Sequence, residues 1–448
     1  LAAVELFIVN CFHLKIALNL AMLLQDNQIS LDKDSPNRTI ALLHWGDRFE
    51  DFFDTVGISF EDFRTNFTGG WLFNYIDALK GENVSTVIYY FSARVHEPLR
   101  FIHVATGSKV CILPVSRLYK FVRYMADTTP FPGLYTLASY LATPLRSLAA
   151  ELRHDKCNAI LCQEYEYARF DLCVFLGKGI NIPVFASFQG GSERLSILEL
   201  LPRILAVHSC SGLIIGPKTQ ILQVQQTYSI SSSKIAQIFN PMDVANWHAI
   251  DRSEARAALN ISLDAKVVVY HGRIEIQRKG LDVLLKAWEE LCKERPHQDL
   301  RLLLVGTGTD AKEFGNQIDA MKLRGVMWIN KYVRDRKAIL QYLSAADVYT
   351  LPSRHEGFPV APIEAMATGL PVVAADAPGV SDILDGGEVS GGIVVPREDK
   401  LALASALGRV LDDPVWSHEL GQRARQRAEN YFSLEVIGKQ LRQFIFQE

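Results

Sequence analysis

From residue 39 onward, short apolar runs rich in β-branched and aromatic side chains alternate with stretches whose apolar positions recur every three or four residues. The runs at 40–45, 84–91, 109–113, 159–162, 183–188 and 212–215 are too short for helices and are bounded by polar or turn-forming residues, so they predict strands. Between them, Gly69-Gly70-Trp71-Leu72 opens a stretch with Leu72, Ile76 and Leu79 on one helical face, and 134–152 predicts a longer helix. Strand and helix in alternation give a parallel sheet covered on both faces. Ligands in such sheets bind beyond the carboxyl ends of the strands. That rule nominates His44, Trp45, Gly69, Gly70, Arg94, His96, Gln163, Glu164, Gln189, Gly190 and Lys218 as cleft-lining candidates.

A second series begins after the turn Asn240-Pro241-Met242-Asp243. The run 266–270 ends in His271-Gly272-Arg273, and Lys279-Gly280 precede a helix with Leu281, Leu284, Leu285, Trp288 and Leu291 on one face. Strand 300–305 leads into Gly306-Thr307-Gly308-Thr309-Asp310-Ala311, which fits the Gly-x-Gly-x-x-Ala pattern of dinucleotide sites. The next strand, 326–329, ends in Asn330 rather than in a ribose-binding acid, and the loop follows the second strand of its series rather than the first. It therefore reads as a backbone wall of a different nucleotide pocket. Runs at 346–351, 372–375 and 392–395 predict further strands, and 401–411, 417–431 and 434–446 predict helices. The chain thus divides into an extension (1–36), two Rossmann-like α/β domains (37–236 and 237–430) and a terminal helix (431–448). In residues 1–24, Glu5, His13 and Lys15 interrupt the apolar run, which argues against a membrane span and for an amphipathic helix or non-native sequence.

The densest chemistry lies at 353–369, Ser-Arg-His-Glu-Gly-Phe-Pro-Val-Ala-Pro-Ile-Glu-Ala-Met-Ala-Thr-Gly. A strand stops at Pro352, Pro362 opens a helix, and Gly369 closes it. The free N–H groups of that first turn favour an anion, and Gly357 lets a ligand approach the main chain. Glu356 and Glu364 flank the loop and accept hydrogen bonds from hydroxyls. A ligand with phosphate and many hydroxyls, a nucleotide sugar, satisfies both features. Arg273 and Lys279 bracket the loop after 266–270, where an arginine fork and a lysine point charge suit a diphosphate.

Composition narrows the class. With 448 residues, 48% hydrophobic and 22% charged, the chain suits two large globular domains, and a net charge of -3 gives no footprint for nucleic acid. Seven scattered cysteines without a Cys-x-x-Cys pair argue against a disulfide framework or structural zinc and fit a reducing, cytoplasmic setting. Asp32-Lys33-Asp34 matches Asp-x-Asp metal motifs but sits in a polar spacer, so no metal site is expected. Residues 117–125, Arg-Leu-Tyr-Lys-Phe-Val-Arg-Tyr-Met, read either as a surface for an anionic membrane or as a packed helix with solvated basic residues.

Glu356 and Glu364 with seven residues between them, inside Pro-Ser-Arg-His-Glu-Gly-Phe-Pro and followed by Ala-Thr-Gly-Leu-Pro-Val-Val-Ala, resemble the donor-site signature of family 4 retaining glycosyltransferases with the GT-B fold. Gly272-Arg273 and Lys279-Gly280 resemble that family's second signature. The resemblance is strong over 265–400, looser to 430, and only topological over 39–220. It implies two Rossmann-like, doubly wound parallel-sheet domains facing a cleft, and a final helix that returns to the first. It also implies a nucleoside diphosphate sugar as substrate and retained anomeric configuration; no cofactor is expected, and no metal, since two side-chain cations and a helix terminus can meet the diphosphate charge. By resemblance Arg273, Lys279 and Glu356 are catalytic. Gly272, Arg273, Lys279, Gly306, Gly308, Glu356, Gly357, Phe358, Pro359, Val360 and Glu364 hold the donor, with Glu364 on the ribose. Gly69, Gly70, His44, Gln163, Glu164 and Gln189 are the acceptor-side candidates, and the acceptor itself is undefined. The chain departs from the family in carrying Phe188-Gln189-Gly190 where many members place a histidine facing the reacting carbon. A nucleotide-sugar epimerase on the same fold, with His44, His96 and Glu164 as acid/base groups, and a non-catalytic binder are the rival readings.

Overall fold

A computed structural model describes residues 38–54, 57–67, 71–129, 132–190, 195–333 and 335–447. The N-terminal extension with Asp32-Lys33-Asp34, and the pair Gly69 and Gly70, lie outside the described residues. Two compact units emerge: one takes the chain through Ile215, Gln220–Ile238 and Gly438 onward, the other Gly216–Thr219 and Phe239–Ile437.

In the first unit β1 (Arg38–Leu43), β2 (Val84–Ser92), β3 (Leu99–Ile102), β4 (Lys109–Pro114), β5 (Ala159–Gln163), β6 (Val184–Ser187), β7 (Gly212–Ile214) and β8 (Ile235–Ala236) form one sheet, ordered β3-β4-β2-β1-β5-β6-β7-β8. All pairs are parallel except β3 with β4. Continuous apolar runs arise because helices bury both faces: Ile40 to Leu43 and Ala159 to Leu161 have no exposed surface. The edge strand β3 carried no such signal, since Leu99 and Ile102 are 37% and 55% exposed. The single helix expected at 134–152 is two, Pro132–Leu141 and Leu145–His154. Pro144 lies at the break; it has no N–H for the ladder and biases Thr143 away from helical geometry. The last helix, Leu434–Phe446, ends in this unit, with Phe444 edge-on to Phe185 at 5.5 Å and Gly438 tight against the Ala78 backbone.

The second unit holds β9 (Lys266–His271), β10 (Leu300–Val305), β11 (Val326–Ile329), β12 (Val348–Leu351), β13 (Val372–Ala375) and β14 (Gly392–Val395), all parallel, ordered β11-β10-β9-β12-β13-β14. Helix Leu281–Glu294 buries the expected stripe, Leu281, Leu284, Leu285, Trp288 and Leu291, each fully, and the Trp288 indole donates to the Arg324 carbonyl at 2.8 Å. Fully buried side chains of this size stabilise by about 1.5–3 kcal/mol each.

Candidate functional site

The strand order of the second unit reverses between β9 and β12: the chain leaves β9 towards β10 and β11, then returns to the other side of β9 as β12. Loops from adjacent strands there turn in opposite directions and leave a crevice at the carboxyl ends. The two signature loops, 272–280 and 352–360, are the two that leave this point.

They are locked together. Gly280 closes the short helix Ile276–Lys279 at φ 61°, and a Cβ on it would stand 2.1 Å from the Pro352 carbonyl oxygen, so only glycine fits. Arg354 N–H donates to the Arg278 carbonyl at 3.0 Å. Its guanidinium grips Asp282 with two bonds of 2.8 and 3.0 Å and Glu398 at 2.7 Å. Arg354 therefore braces the loop, a role that its place inside the motif did not disclose.

Within this frame Lys279 Nζ lies 2.7 and 2.9 Å from the two Glu356 carboxylate oxygens, and the Ser353 hydroxyl donates to Glu356 Oε1 at 2.6 Å. The Lys279 side chain is 13% exposed and that of Glu356 5%. Glu364, in the first turn of helix Ala361–Ala367, contacts His271 Nε2 at 2.7 Å, and His271 Nδ1 is buried with no hydrogen-bond partner among the described residues. His271 and Ser353 were not foreseen as functional; the position of His271 at the carboxyl end of β9 was the available signal. Arg273 differs from its intended partner Lys279: it is 61% exposed and pairs with Glu275 at 2.9 Å.

The glycines expected to wall the pocket have a packing role. A Cβ on Gly306 would fall 1.9 Å from the Gly272 carbonyl oxygen, and one on Gly308 2.3 Å from that of Ile274. The loop 306–310 thus lies on 272–276, joined by Gly272 N–H to Val305 O (3.0 Å), Ile274 N–H to Thr307 O (3.1 Å) and Ile276 N–H to Asp310 Oδ2 (2.8 Å). Gly357 is backed by Gly379 in the same way, Phe358 stacks on Phe239 at 5.2 Å, and Pro359 leads to Val360, which caps the helix carrying Glu364.

Among the first-unit candidates, Gln163, Ser187 and Gln189 come together at the ends of β5 and β6: Ser187 Oγ donates to Gln163 Oε1 at 3.3 Å, and Gln189 Nε2 to Ser187 Oγ at 3.2 Å. Glu164 follows them at φ 87°, 8% exposed, and burial pushes its carboxyl up to about 7. His44 is enclosed by Trp45 at 5.0 Å and Tyr90 at 4.6 Å, and burial, then the nearby Arg169 charge, pull its pKa down to about 3. It stays a neutral packed ring, whereas His96 is exposed, so the acid/base set that an epimerase would need is not assembled from them. Arg94 pairs with Asp54, and Lys218, in the second unit, with Asp385 at 2.9 Å. Residues 117–125 fall in helix Arg117–Thr128. There Lys120 donates to the Ala93 carbonyl and Arg123 pairs with Asp127, so two of the three expected membrane-facing cations are engaged within the protein. Among the described residues, one grouping has metal-ligand spacing, Glu151, His154 and Asp155, and Arg100 holds both of its carboxylates.

Two doubly wound parallel-sheet domains, the second with its polar loops at a strand-order reversal, constitute a GT-B fold. Solved structures share it across the chain. Sucrose-phosphate synthase from Thermosynechococcus elongatus superposes with a TM-score of 0.67 at 20% identity, covering 92% of this chain and 99% of that one. Anabaena HepE in complex with UDP gives 0.66 at 17%, covering 92% and 100%. Residues 251–429 match the family described as Glycosyl transferases group 1. The chain is 30% identical over 239 residues to a D-inositol 3-phosphate glycosyltransferase of Kineococcus radiotolerans, covering 50% of this chain and 54% of that protein. It is 31% identical over 243 residues to the one of Corynebacterium urealyticum, covering 52% and 56%. The chain thus spans about half the length of the curated relatives it matches.

Proposed function

We propose that this protein is a glycosyltransferase that moves a sugar from a nucleoside diphosphate sugar to an acceptor hydroxyl, with retained anomeric configuration. The observation that carries the reading is the Lys279–Glu356–Ser353 cluster beside the His271–Glu364 pair, both at the β9/β12 reversal. The group 1 match over the same residues and the UDP held by HepE support it. On donor binding the Lys279 ammonium passes from Glu356 to the diphosphate, which frees Glu356 to accept from sugar hydroxyls. Arg273, exposed and, among the described residues, paired with Glu275, can turn in as a second cation. Glu364, oriented by His271, accepts from the ribose hydroxyls. In the reaction the C1–O bond to the diphosphate breaks and its electron pair leaves with the diphosphate. A C1–O bond to the acceptor forms, and the proton of the acceptor hydroxyl passes to the oxygen of the departing diphosphate that has taken up the electron pair. Charge on the leaving group is the main thing to be stabilised, and Lys279 in its partly dry site does so, with Arg273 added once it has turned in; no metal or cofactor enters the scheme.

A peripheral membrane contact stays part of the proposal as an apolar one. On helix Arg117–Thr128, Leu118, Phe121 and Tyr124 are 40%, 62% and 66% exposed while Lys120 and Arg123 are engaged. Co-sedimentation with neutral vesicles, lost in F121S/Y124S, tests it; retention in that variant removes the contact.

Incubation with a panel of UDP-, GDP- and ADP-sugars plus acceptors, read by mass spectrometry with and without EDTA, tests the main reading. Transfer that survives chelation is expected. Epimerised donor, or binding without turnover, would overturn it, and NMR of the product anomer decides retention.

A further inference from the structure

The first sheet has a strand-order reversal of its own. The chain leaves β1 for β2 on one side and later sets β5 on the other. A cavity of about 650 Å³ opens there, lined by residues that follow β1 (Trp45, Asp47, Arg48), β2 (Arg94) and β5 (Tyr167). Its floor is built in advance. Arg169, 5% exposed, sends its guanidinium to three carbonyls of one loop, those of His44, Gly46 and Asp47, and so fixes the segment that presents Trp45 and Asp47. With its Nε on the Thr143 hydroxyl as well, this buried arginine holds the loop rigid and sets its positive charge beneath Asp47. Asp47 is largely buried, 14% exposed, and takes a 3.0 Å bond from Ser139. Beside Tyr167 lies Glu164, buried, at φ 87°, with no hydrogen bond to its carboxyl among the described residues.

We propose that this pocket is the acceptor site of the transferase, and that it takes an uncharged polyhydroxylated molecule, a sugar or cyclitol without phosphate. The assignment rests on the proposed function. The charge of the lining decides the class. Asp47, Glu50, Asp51 and Asp54 face Arg48, Arg94 and Arg123, and the buried Arg169 beneath Asp47 brings the formal charge to zero. Each lining arginine already has a carboxylate: Arg48 with Asp51, Arg94 with Asp54, and Arg123 with Asp127 at 3.1 Å and Asp47 at 3.7 Å. A phosphate would meet no surplus cation, since Arg169 too is already taken up by three carbonyls and the Thr143 hydroxyl. Hydroxyls suit this lining: carboxylates accept from them, guanidinium edges donate to them, and the Trp45 and Tyr167 rings offer apolar faces to the C–H side of a sugar ring.

Calorimetry with glucose, myo-inositol and their phosphate esters, on the whole chain saturated with UDP, tests the site. The neutral ligands are expected to bind at least about tenfold more tightly than the esters. D47N, which removes one negative charge and keeps the shape, should weaken the neutral ligands by about tenfold and close most of the gap to the esters, a change of selectivity that a merely structural role would not cause. W45A should weaken all of them, and thermal melting confirms that each variant is folded. Tighter binding of the esters by the natural protein overturns the proposal, as does unaltered selectivity in D47N. Affinity for UDP reports the second unit separately: lost UDP binding with intact sugar binding would count against the transferase reading and not against the pocket.

Discussion

Removing the Lys279 ammonium should destabilise the fold and weaken donor binding, and a second substitution should separate the two effects. Lys279 is the only cation at hydrogen-bond distance from Glu356 among the described residues, and Ser353 supplies one further donor. With Glu356 only 5% exposed, K279A leaves a carboxylate largely out of water with a single hydroxyl on it. Breaking a buried pair from one side costs about 3–5 kcal/mol, and the 13% exposure of Lys279 puts this case near 3. E356Q leaves the ammonium an amide oxygen to bond, at a cost of about 1–2 kcal/mol. The double variant K279A/E356Q removes both charges and should return to within about 1 kcal/mol of the natural protein, a coupling of at least about 2 kcal/mol. Urea unfolding measures all four proteins. Calorimetry with UDP should show affinity reduced at least about thirtyfold in K279A and equally in the double variant, because the lost cation is not replaced. Equal stability of K279A and the double variant would refute the argument from burial. Recovery of UDP binding in the double variant would refute the assignment of Lys279 to the diphosphate.

Other outcomes follow from single residues. Glu164 has a folded pKa raised to about 7 from 4.5, so it imposes no penalty below pH 4.5; stability falls as pH rises through that window and is lowest above 7. The shift corresponds to about 3 kcal/mol, so E164Q should match the natural protein at pH 4 and exceed it by roughly that amount at pH 8 in urea titrations; a pH-independent difference would show the carboxyl is not buried as described. G280A should cost more than about 2 kcal/mol in thermal or urea melts and weaken UDP binding, since a Cβ meets the Pro352 carbonyl at 2.1 Å and the left-handed backbone is itself unfavourable. A G280A protein as stable as its parent would mean the two signature loops are not held by that contact.

Strands buried on both faces were legible because burial forces continuous apolar runs, and the stripe Leu281 to Leu291 was legible because a helix repeats every 3.6 residues. β3 was not, because an exposed edge strand of four residues needs no pattern to persist. The break at Pro144 was readable in principle and was overridden by the apolar period around it. At the site, motif spacing marked Glu356, Glu364, Arg273 and Lys279 but not their state. That Lys279 is paired to Glu356 while Arg273 stands in solvent depends on which way each loop turns, and the turn is set by backbone contacts such as Gly280 on Pro352. Gly306 and Gly308 illustrate the same gap, since a glycine needed for a loop-to-loop contact and one needed to admit a phosphate look alike in sequence.

The ion pairs at the β9/β12 reversal also bear on how tightly a donor can be held. A diphosphate entering there does not find bare cations; it must displace Glu356 from Lys279 and Glu275 from Arg273. Only the difference between the old pair and the new one appears as affinity, so binding is weaker than the count of contacts suggests. The displaced Glu356 does not return to water, because at 5% exposure it remains enclosed with Ser353. It therefore needs a new donor, and the hydroxyls of a transferred sugar provide one while a free nucleoside diphosphate does not. On the proposed reading, complete donor should bind more tightly than the nucleoside diphosphate alone, and E356Q should erase most of that margin. Paired calorimetric titrations of UDP and UDP-glucose decide this; an equal margin in the natural protein and E356Q would place the sugar elsewhere than against Glu356.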